Sequence, residues 1–190
     1  MAAQDSQGKH WRVLRSELVV DHPMVRVRRE VCRLPDGTVI DDYYVVDESD
    51  FALVFALTPA REVVVVEQYK HALGGLCLEL PGGYFDGDAP DPVHEARREL
   101  REETGYDAPA LHLVSTTKTH PTRMSNTMYV FAAPQAAPVT AQHLDPAEDI
   151  RVRLIPVDDL FAMMRDGRFN TTLSIAAIYQ AWDYLQHLTP

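Results

Sequence analysis

The first half of the chain consists of short runs of β-forming residues, in most of which apolar and polar side chains alternate. The runs are residues 11–20, 24–34, 38–47, 51–59 and 62–68. Alternation with a period of two places one face of a strand against a core and the other in solvent. Turn-forming residues at 35–37 and 59–61 separate neighbouring runs and favour hairpins. The pattern therefore predicts that this half of the chain forms β-sheet.

The best-marked helix lies near the middle of the chain, after a strand-like run at 76–80 and a Pro-Gly-Gly sequence at 81–83. Asp91 is a typical N-cap, and a proline follows it at the first helical position. Gly105 stands where a left-handed residue commonly ends a helix. We therefore expect a helix over residues 93–104.

The remaining sequence predicts further strands and two helices at the C-terminal end. The strands are residues 111–117, 127–133 and 151–157, and the helices are residues 157–167 and about 170–188. Strands and helices mixed along one chain indicate the α/β class. Because the chain has 190 residues, we expect one main core, with room for a small appendage.

Composition and charge narrow the classes of function. The chain lacks a long apolar run, and its first ten residues lack the apolar core of a signal peptide, so we expect a cytoplasmic protein that does not enter the membrane. Cys32 and Cys77 are far apart in apolar contexts and are interpreted as core residues. A net charge of −10 disfavours a nucleic-acid partner. Bound cations would still let an acidic protein handle a small phosphorylated substrate.

The predicted helix carries a cluster of carboxylates. Glu95, Glu99 and Glu103 are spaced four residues apart and Glu102 is three from Glu99, so they share one side of the helix. A glutamate-rich helix is by itself usually a solvated face. Several carboxylates beside a glycine loop with exposed carbonyls are, alternatively, the hard oxygen ligands that Mg²⁺ or Mn²⁺ prefers.

The order of the surrounding residues favours the second alternative. Residues 82–106, GGYFDGDAPDPVHEARRELREETGY, resemble the Nudix box: glycine, five residues, glutamate, seven residues, then Arg-Glu-apolar-X-Glu-Glu-X-Gly-apolar. The second half of the box matches at every specified position. The matching residues are Arg98, Glu99, Leu100, Glu102, Glu103, Gly105 and Tyr106. The chain is thereby identified as similar to the Nudix hydrolases.

The first half of the box departs from that pattern. Counting from Gly83, there is one extra residue, and the position of the first glutamate falls at Ala89 or Pro90. In the family this glutamate supports the loop and the helix, and Asp86 or Asp88 is a candidate substitute. The departure leaves open a catalytically silent Nudix module that binds ADP-ribose or another nucleotide as a sensor.

The resemblance extends to the ADP-ribose and nucleotide-sugar pyrophosphatases over about residues 12–185. It implies a Nudix α/β/α sandwich with a mixed sheet, plus a small N-terminal antiparallel β-sheet domain that helps to form a homodimer. Applied to this chain, it gives a flexible N-terminus at 1–10, a dimerisation domain at 11–50 and a Nudix domain at 51–190. The implied substrate is a nucleotide sugar.

The resemblance also implies roles for individual residues. Glu99 and Glu103, with the carbonyl of Gly82, match metal ligands, and Arg98 matches a structural pairing arginine. Glu148 matches a further metal-binding or catalytic glutamate of a later loop, and the alternative for it is a solvated loop charge.

The general base and the substrate contacts are less fixed by the pattern. Glu102 and Glu148 are both candidates to deprotonate the attacking water. Lys70 falls where related enzymes often carry an arginine that touches a substrate phosphate. Arg123 and His120 lie in a polar loop, and loops on a rigid sheet commonly carry binding groups.

The predicted reaction is Mg²⁺-dependent hydrolysis of a diphosphate, with Mn²⁺ as a possible substitute, giving a nucleoside monophosphate and a sugar phosphate. ADP-ribose is the leading substrate. A GDP or UDP sugar is the main rival, because the sequence before the box is Leu-Pro-Gly-Gly where many ADP-ribose enzymes have an alanine before the glycine.

Overall fold

A computed structural model describes residues 10–23, 25–85, 91–146 and 148–188. Contacts between Cα atoms divide the chain into two compact units. The first contains residues 1–48 and 118–126, and the second contains residues 49–117 and 127–190. Of the predicted flexible N-terminus at 1–10, only His10 is among the described residues. The segment 118–126, which the sequence-based division assigns to the Nudix domain, groups with the first unit.

The first unit is built on a three-stranded antiparallel sheet, as the alternating runs predicted. Its strands are β1 (Arg12–His22), β2 (Val25–Arg33) and β3 (Val39–Asp47), in the order β1-β2-β3. The predicted turn at 35–37 closes with a hydrogen bond of 3.0 Å from the Gly37 N–H to the Leu34 carbonyl. Gly37 has a φ of +91°, a conformation that glycine adopts without a steric penalty.

The second unit contains a six-stranded mixed sheet. Eight described strands follow the first sheet along the chain, and six of them form this mixed sheet. The eight are β4 (Phe51–Leu57), β5 (Glu62–Lys70), β6 (Gly75–Glu79), β7 (Tyr106–Asp107), β8 (His112–Lys118), β9 (Thr127–Pro134), β10 (Ala137–Pro138) and β11 (Ile150–Pro156). The order is β11-β5-β4-β9-β8, with β6 paired to β5, and β7 and β10 form a separate ladder. The pair β4–β9 is parallel, whereas β5 is antiparallel to β4, β6 and β11. The mixed sheet is therefore confirmed.

Helices cover both faces of this sheet. They are α1 (Pro92–Thr104), α2 (Val157–Asp166) and α3 (Thr172–His187). α2 and α3 pack on one face in a core that contains Phe55, Leu160 and Ile178. α1 packs on the other face through Ala96 and Leu100. The predicted α/β/α sandwich is confirmed, as is the burial of both cysteines in the core.

The ends of α1 are fixed as its sequence predicted. The Asp91 carboxylate accepts a hydrogen bond from the Val93 N–H at 3.1 Å. At the other end Gly105 is left-handed, with a φ of +74°, and its N–H donates to the Arg101 carbonyl at 2.9 Å. Because both ends are capped and Ala96 and Leu100 are fully buried, α1 holds its side chains at fixed positions over the sheet.

The Pro-Gly-Gly segment is held by β4. β4 pairs with β5 only near residues 56–57, which leaves the first part of its edge open. There the Ala52 N–H donates to the Gly83 carbonyl at 3.0 Å, and the Val54 N–H donates to the Pro81 carbonyl at 2.9 Å. The segment therefore has a fixed backbone before the chain reaches α1.

Candidate active site

A cavity of about 360 Å³ lies in the second unit, between the Pro-Gly-Gly segment, α1 and the start of α3. Its lining combines carboxylates, glycine backbone, a lysine and apolar side chains. The lining residues are Phe51, Leu53, Gln68, Lys70, Glu79, Leu80, Gly82, Gly83, Tyr84, Glu99, Glu103, Glu148, Leu173 and Ser174. The cavity therefore brings together five of the predicted site residues: Gly82, Glu99, Glu103, Glu148 and Lys70.

Glu103 is the most deeply buried of these carboxylates, with 5% of its surface exposed. Its Oε2 accepts a hydrogen bond from the Gly82 N–H at 2.8 Å. The pKa of Glu103 is raised to about 8, chiefly by burial; the charges of Glu99 and Glu148 add to this, whereas the hydrogen bond from Gly82 opposes it. A group that is costly to ionise in the protein alone becomes a favourable ligand once a cation shares its charge.

Glu99 lies one turn before Glu103 and is also largely buried. Burial raises the pKa of Glu99, and the nearby charges of Glu102 and Glu148 raise it further, against the lowering effect of Arg98. The carboxyl group packs so closely on Gly83 that a Cβ atom there would lie 2.5 Å from it. At Gly82 a Cβ would lie 2.0 Å from the Ala52 carbonyl oxygen. A side chain at position 82 would therefore meet fixed backbone, whereas one at position 83 would displace the Glu99 carboxyl group.

Glu148 reaches the same cavity from the loop before β11. Its residue is exposed, and its Oε2 accepts a hydrogen bond from the Asp145 N–H at 3.0 Å. The negative charge of Glu148 contributes to the raised pKa values of both Glu99 and Glu103. The loop thus adds a solvent-accessible carboxylate to the lining of the cavity.

The donor set fits a hard divalent cation. The carboxylates supply oxygens, and the Gly82 carbonyl is a further candidate: the carbonyls of Pro81 and Gly83 point to β4, so alternation along an extended segment directs that of Gly82 away from it. Within the described ranges, no group of three or more His, Cys, Asp or Glu side chains stands close enough to hold a metal ion as placed. Glu99 accepts a hydrogen bond from Arg98 and Glu103 accepts one from the Gly82 N–H, so binding of one cation requires these two carboxylates of the cavity to move closer together.

Arg98 contacts three carboxylates at once. Its Nη2 donates to Glu95 at 3.0 Å and to Glu99 at 2.8 Å, and its Nη1 donates to Glu102 at 2.6 Å. The pKa of Arg98 is raised by these carboxylates despite partial burial. The structural pairing role that the resemblance implied for Arg98 stays a prediction.

Glu102 lies elsewhere. It lines a different cavity of about 490 Å³ on the outer side of α1, together with Arg97, Arg101 and His143. The arginines there are engaged by carboxylates: Arg97 and Arg101 pair with Asp107, and Arg98 pairs with Glu102. Because its positive charges are already balanced, this outer cavity is a poor candidate for binding an anionic substrate.

Lys70 stands at the end of β5 and forms an ion pair of 3.1 Å with Glu79 at the end of β6. Gln68 also donates to Glu79, at 3.4 Å. The antiparallel β5–β6 pair thus presents a cation on the wall of the cavity. The phosphate contact that the resemblance implied for Lys70 stays a prediction.

Other predicted residues belong to the first unit or lie outside the described residues. Arg123 and His120 belong to the first unit, where the Arg123 carbonyl accepts from the Val46 N–H at 2.7 Å. The substrate-binding role expected for Arg123 and His120 stays a prediction. Asp86, Asp88, Ala89 and Pro90, which carry the departure from the box, lie outside the described residues.

Sequence reasoning missed the apolar wall of the cavity. Phe51 and Tyr84 pack against each other with ring centroids 5.6 Å apart, and Leu173 completes the wall from α3. Because Tyr84 directly follows the glycine pair, its position in the sequence could have indicated that it lines the cavity. Nothing in the local pattern indicated that Leu173, about ninety residues later, would reach the same place.

Comparison with known proteins decides the family. The model of the NUDIX domain matches residues 49–173, and that of the nucleoside diphosphate sugar hydrolase N-terminal domain matches residues 11–46. The chain belongs to the Nudix family. The resemblance noted in the box is confirmed, and the chain is an enzyme of the Nudix hydrolase type.

Individual relatives of this Nudix enzyme cover most of its length. An ADP-ribose pyrophosphatase of Bacillus subtilis is 24% identical over 92% of both chains. A GDP-mannose pyrophosphatase of Yersinia pestis is 29% identical over 67% of this chain and 69% of its own. The crystal structure of an ADP compounds hydrolase matches 93% of this chain and 94% of its own with a TM-score of 0.81 and 18% identity, which supports the shared fold.

The same findings bear on the alternatives. The comparisons lend no support to a catalytically silent Nudix sensor. In the described part of the chain, helices long and apolar enough to cross a membrane are absent.

Proposed function

We propose that this Nudix enzyme hydrolyses the diphosphate of ADP-ribose or a related nucleotide sugar in a Mg²⁺-dependent reaction, giving a nucleoside monophosphate and a sugar phosphate. The observation that carries the proposal is the joint lining of one cavity by Glu99, Glu103 and Glu148. Two of these carboxylates are desolvated without a full complement of positive partners. Such an arrangement is unfavourable for the protein alone and favourable for binding cations.

The chemistry requires a nucleophile and charge neutralisation, because water attacks an anionic diphosphate slowly. When bound at such a site, Mg²⁺ neutralises phosphate charge and lowers the pKa of water. Glu99, Glu103 and the Gly82 carbonyl are proposed to hold it. Lys70 is proposed to bind a phosphate oxygen as a point charge, exchanging part of its ion pair with Glu79.

Glu148 is the better candidate for the general base. It is an exposed residue that lines the cavity, and its carboxylate accepts one backbone hydrogen bond, which leaves it able to accept a proton from water. Glu102 is bound to Arg98 and lines the outer cavity. We propose that Glu102 assists the site through Arg98.

ADP-ribose is proposed as the first substrate and GDP-mannose as its rival, in line with the names of the two relatives. The apolar wall formed by Phe51, Tyr84 and Leu173 suits the flat face of a base or sugar beside the charged wall that suits the diphosphate. A nucleotide sugar has both parts.

The test is a substrate panel with the purified chain. ADP-ribose, GDP-mannose, UDP-glucose, NADH and nucleoside triphosphates are incubated with Mg²⁺ or with EDTA, and released monophosphate and sugar phosphate are measured. We expect cleavage of one nucleotide sugar in Mg²⁺ and none in EDTA. Glu62→Gln on β5, outside the cavity, serves as the matched control and should cleave like the wild type.

Cleavage of triphosphates alone would overturn the substrate class. A compound that raises the melting temperature without being cleaved would favour the silent binding module instead.

A homodimer is proposed for the first unit. Both faces of its sheet carry exposed apolar side chains, whereas the strands at the centre of the second unit are almost fully buried. The exposed apolar residues on β1 include Val13, Leu14, Leu18, Val19 and Val20. Trp11, directly before the strand, is exposed as well. An apolar surface of this kind is typical of an interface. We propose residues 11–50 as the dimerisation domain and 51–190 as the catalytic domain.

Sedimentation tests this assembly. The wild type should sediment at twice the 21.4 kDa chain mass, and the double variant Leu18→Asp, Val20→Asp should shift toward monomer. Leu113→Asp, an equally exposed leucine on β8, is the control and should remain dimeric. A monomeric wild type, or a dimeric double variant, contradicts the proposal.

The remaining parts of the proposal concern partners and location. A net charge of −10 opposes a nucleic-acid partner. Cys32 and Cys77 are both free thiols, which suits a reducing compartment, and we propose the cytoplasm.

A further inference from the structure

Glu95 occupies one of the seven positions that the Nudix box leaves unspecified, three residues before Arg98. A charged residue at an unconstrained helical position is normally solvated. Here Glu95 is buried, with only 9% of its surface exposed, and it does not line the catalytic cavity. Its burial therefore calls for another explanation.

Glu95 is buried because it accepts hydrogen bonds from the N–H groups of Arg98. The Glu95 Oε2 accepts from both Nε, at 3.2 Å, and Nη2, at 3.0 Å, so it grips one edge of the guanidinium. The same Nη2 donates to Glu99, whereas Nη1 donates to Glu102. Because the guanidinium is planar and rigid, fixing one edge fixes the direction in which the shared Nη2 meets Glu99.

We propose that Glu95 is a positioning residue for the metal site: it holds Arg98 in the orientation that presents Glu99 to the cavity. This inference rests on the proposed function. Two physical effects act in the same direction. Without Glu95, Arg98 would be free to turn its second donor toward Glu99 and hold that carboxylate out of the cavity. Arg98 would also lose one balancing charge and would repel a cation more strongly.

A purely structural role is the competing explanation. Glu95 lies in the first turn of α1, where a negative charge stabilises a helix through its dipole. Loss of that effect would lower the melting temperature and leave cation affinity unchanged. Metal binding measured without substrate therefore separates the two roles.

The experiment titrates Mn²⁺ into the full chain and follows free Mn²⁺ by electron paramagnetic resonance, in the absence of substrate. For Glu95→Gln we expect about tenfold weaker Mn²⁺ binding, the loss typical when a residue that orients a metal ligand is removed. The half-activating Mg²⁺ concentration should rise by a similar factor, and KM for the nucleotide sugar at saturating Mg²⁺ should be unchanged. Glu95→Asp, which retains the charge, should recover part of the affinity.

Asp107→Asn is the matched control. Asp107 is a partly buried carboxylate that pairs with Arg97 on the outer side of the same helix, away from the cavity carboxylates. It should lower stability and leave Mn²⁺ affinity at the wild-type value. A double variant, Glu95→Gln with Arg98→Lys, should bind Mn²⁺ no more weakly than Arg98→Lys alone, because Glu95 acts through Arg98.

The outcomes separate this inference from the proposed function. If the wild type binds Mn²⁺ and Glu95→Gln binds it equally well, the positioning role is wrong and the metal site stands. If Glu95→Gln and Asp107→Asn weaken binding equally, the loss is not specific to the contact with Arg98 and the positioning role is wrong. If the wild type binds no Mn²⁺, the proposed metal site itself is wrong.

Discussion

Each unit of the molecule contains an arginine that binds more than one carboxylate, and the two clusters differ in charge balance. In the first unit Arg28 donates to Asp47, with Nη2 to Oδ1 at 3.0 Å, and to the buried Glu30. The pKa of Asp47 is lowered, mainly by its hydrogen bond with Arg28. In the second unit Arg98 is shared among three glutamates, and the pKa values of Glu99 and Glu103 are raised, mainly by burial.

The difference separates a structural cluster from a functional one. In the Arg28 cluster, ionised side chains stabilise each other in the folded protein. In the Arg98 cluster there are more carboxylates than one arginine can balance, and burial makes the ionisation of Glu99, and of Glu103 beside it in the cavity, unfavourable in the protein alone. The same residue types thus serve stability in one unit and, we propose, metal binding in the other.

The largest expected effect comes from Glu103→Gln. The substitution keeps the size of the side chain and removes the charge proposed to bind the metal. We expect the rate of nucleotide-sugar cleavage to fall about a thousandfold, equivalent to about 4 kcal/mol of transition-state stabilisation. The melting temperature in EDTA at pH 7 should not fall, because the metal-free folded protein already holds Glu103 largely protonated there and glutamine has the same size and no charge. A normal rate would remove Glu103 from the proposed site.

The next prediction compares alanine substitutions at Gly83 and Gly82. Gly83→Ala places a Cβ against the mobile carboxyl end of Glu99, so we expect activity to fall about tenfold to a hundredfold with little change in stability. Gly82→Ala places a Cβ against the fixed Ala52 carbonyl and should lower stability as well. Activity assays and thermal unfolding of both variants check this contrast. Equal stability losses in the two would contradict it.

A glutamate-to-glutamine substitution in the Arg28 cluster should lower stability and leave activity unchanged. Glu30→Gln weakens a buried charge-assisted hydrogen bond, so we expect the free energy of unfolding to fall by about 2 kcal/mol. The kcat of the folded variant should stay within about twofold of the wild type. Urea unfolding and steady-state kinetics provide the two readouts. A large loss of kcat in fully folded protein would remove the distinction between the clusters.

A further contrast between the two clusters is the pH dependence of the stability of the metal-free protein. The folded-state pKa of Glu103, about 8, is above its ordinary value of 4.5, so the folded state binds the extra proton between these values. Its contribution to stability is complete below about pH 4.5 and is lost as the pH rises through 8. Asp47 has a lowered pKa, so its contribution is lost instead as the pH falls below its ordinary value of 3.8.

Thermal unfolding in EDTA across this range measures both contributions. Glu103→Gln should flatten the decline toward pH 8 and leave the acidic limb unchanged. A wild-type curve that rises steadily to pH 8, with no difference in the variant, would contradict the assignment.

The sequence predicted those parts of the fold that depend on local pattern. Asp91 and Gly105 marked the ends of α1 because capping is a local interaction, and the alternating runs marked the strands. β7 and β10 were missed because two residues carry no periodic signal. The box supplied Glu99 and Glu103 through the resemblance.

What remained hidden depends on tertiary packing. The spacing of Glu95 and Arg98 permitted an ion pair, and only the packing of α1 shows that it is buried. Leu173 and Tyr84 lie on the same wall because α3 returns to the sheet, which no short window of sequence reveals.

The most direct test of the central claim is anomalous diffraction from crystals of the chain soaked in Mn²⁺. We expect an anomalous peak in the cavity, within coordination distance of carboxylate oxygens of Glu99 and Glu103. The peak should disappear in Glu103→Gln. A cavity without a peak in soaked wild-type crystals, or a peak bound only by residues outside it, would contradict the claim that these carboxylates form the metal site.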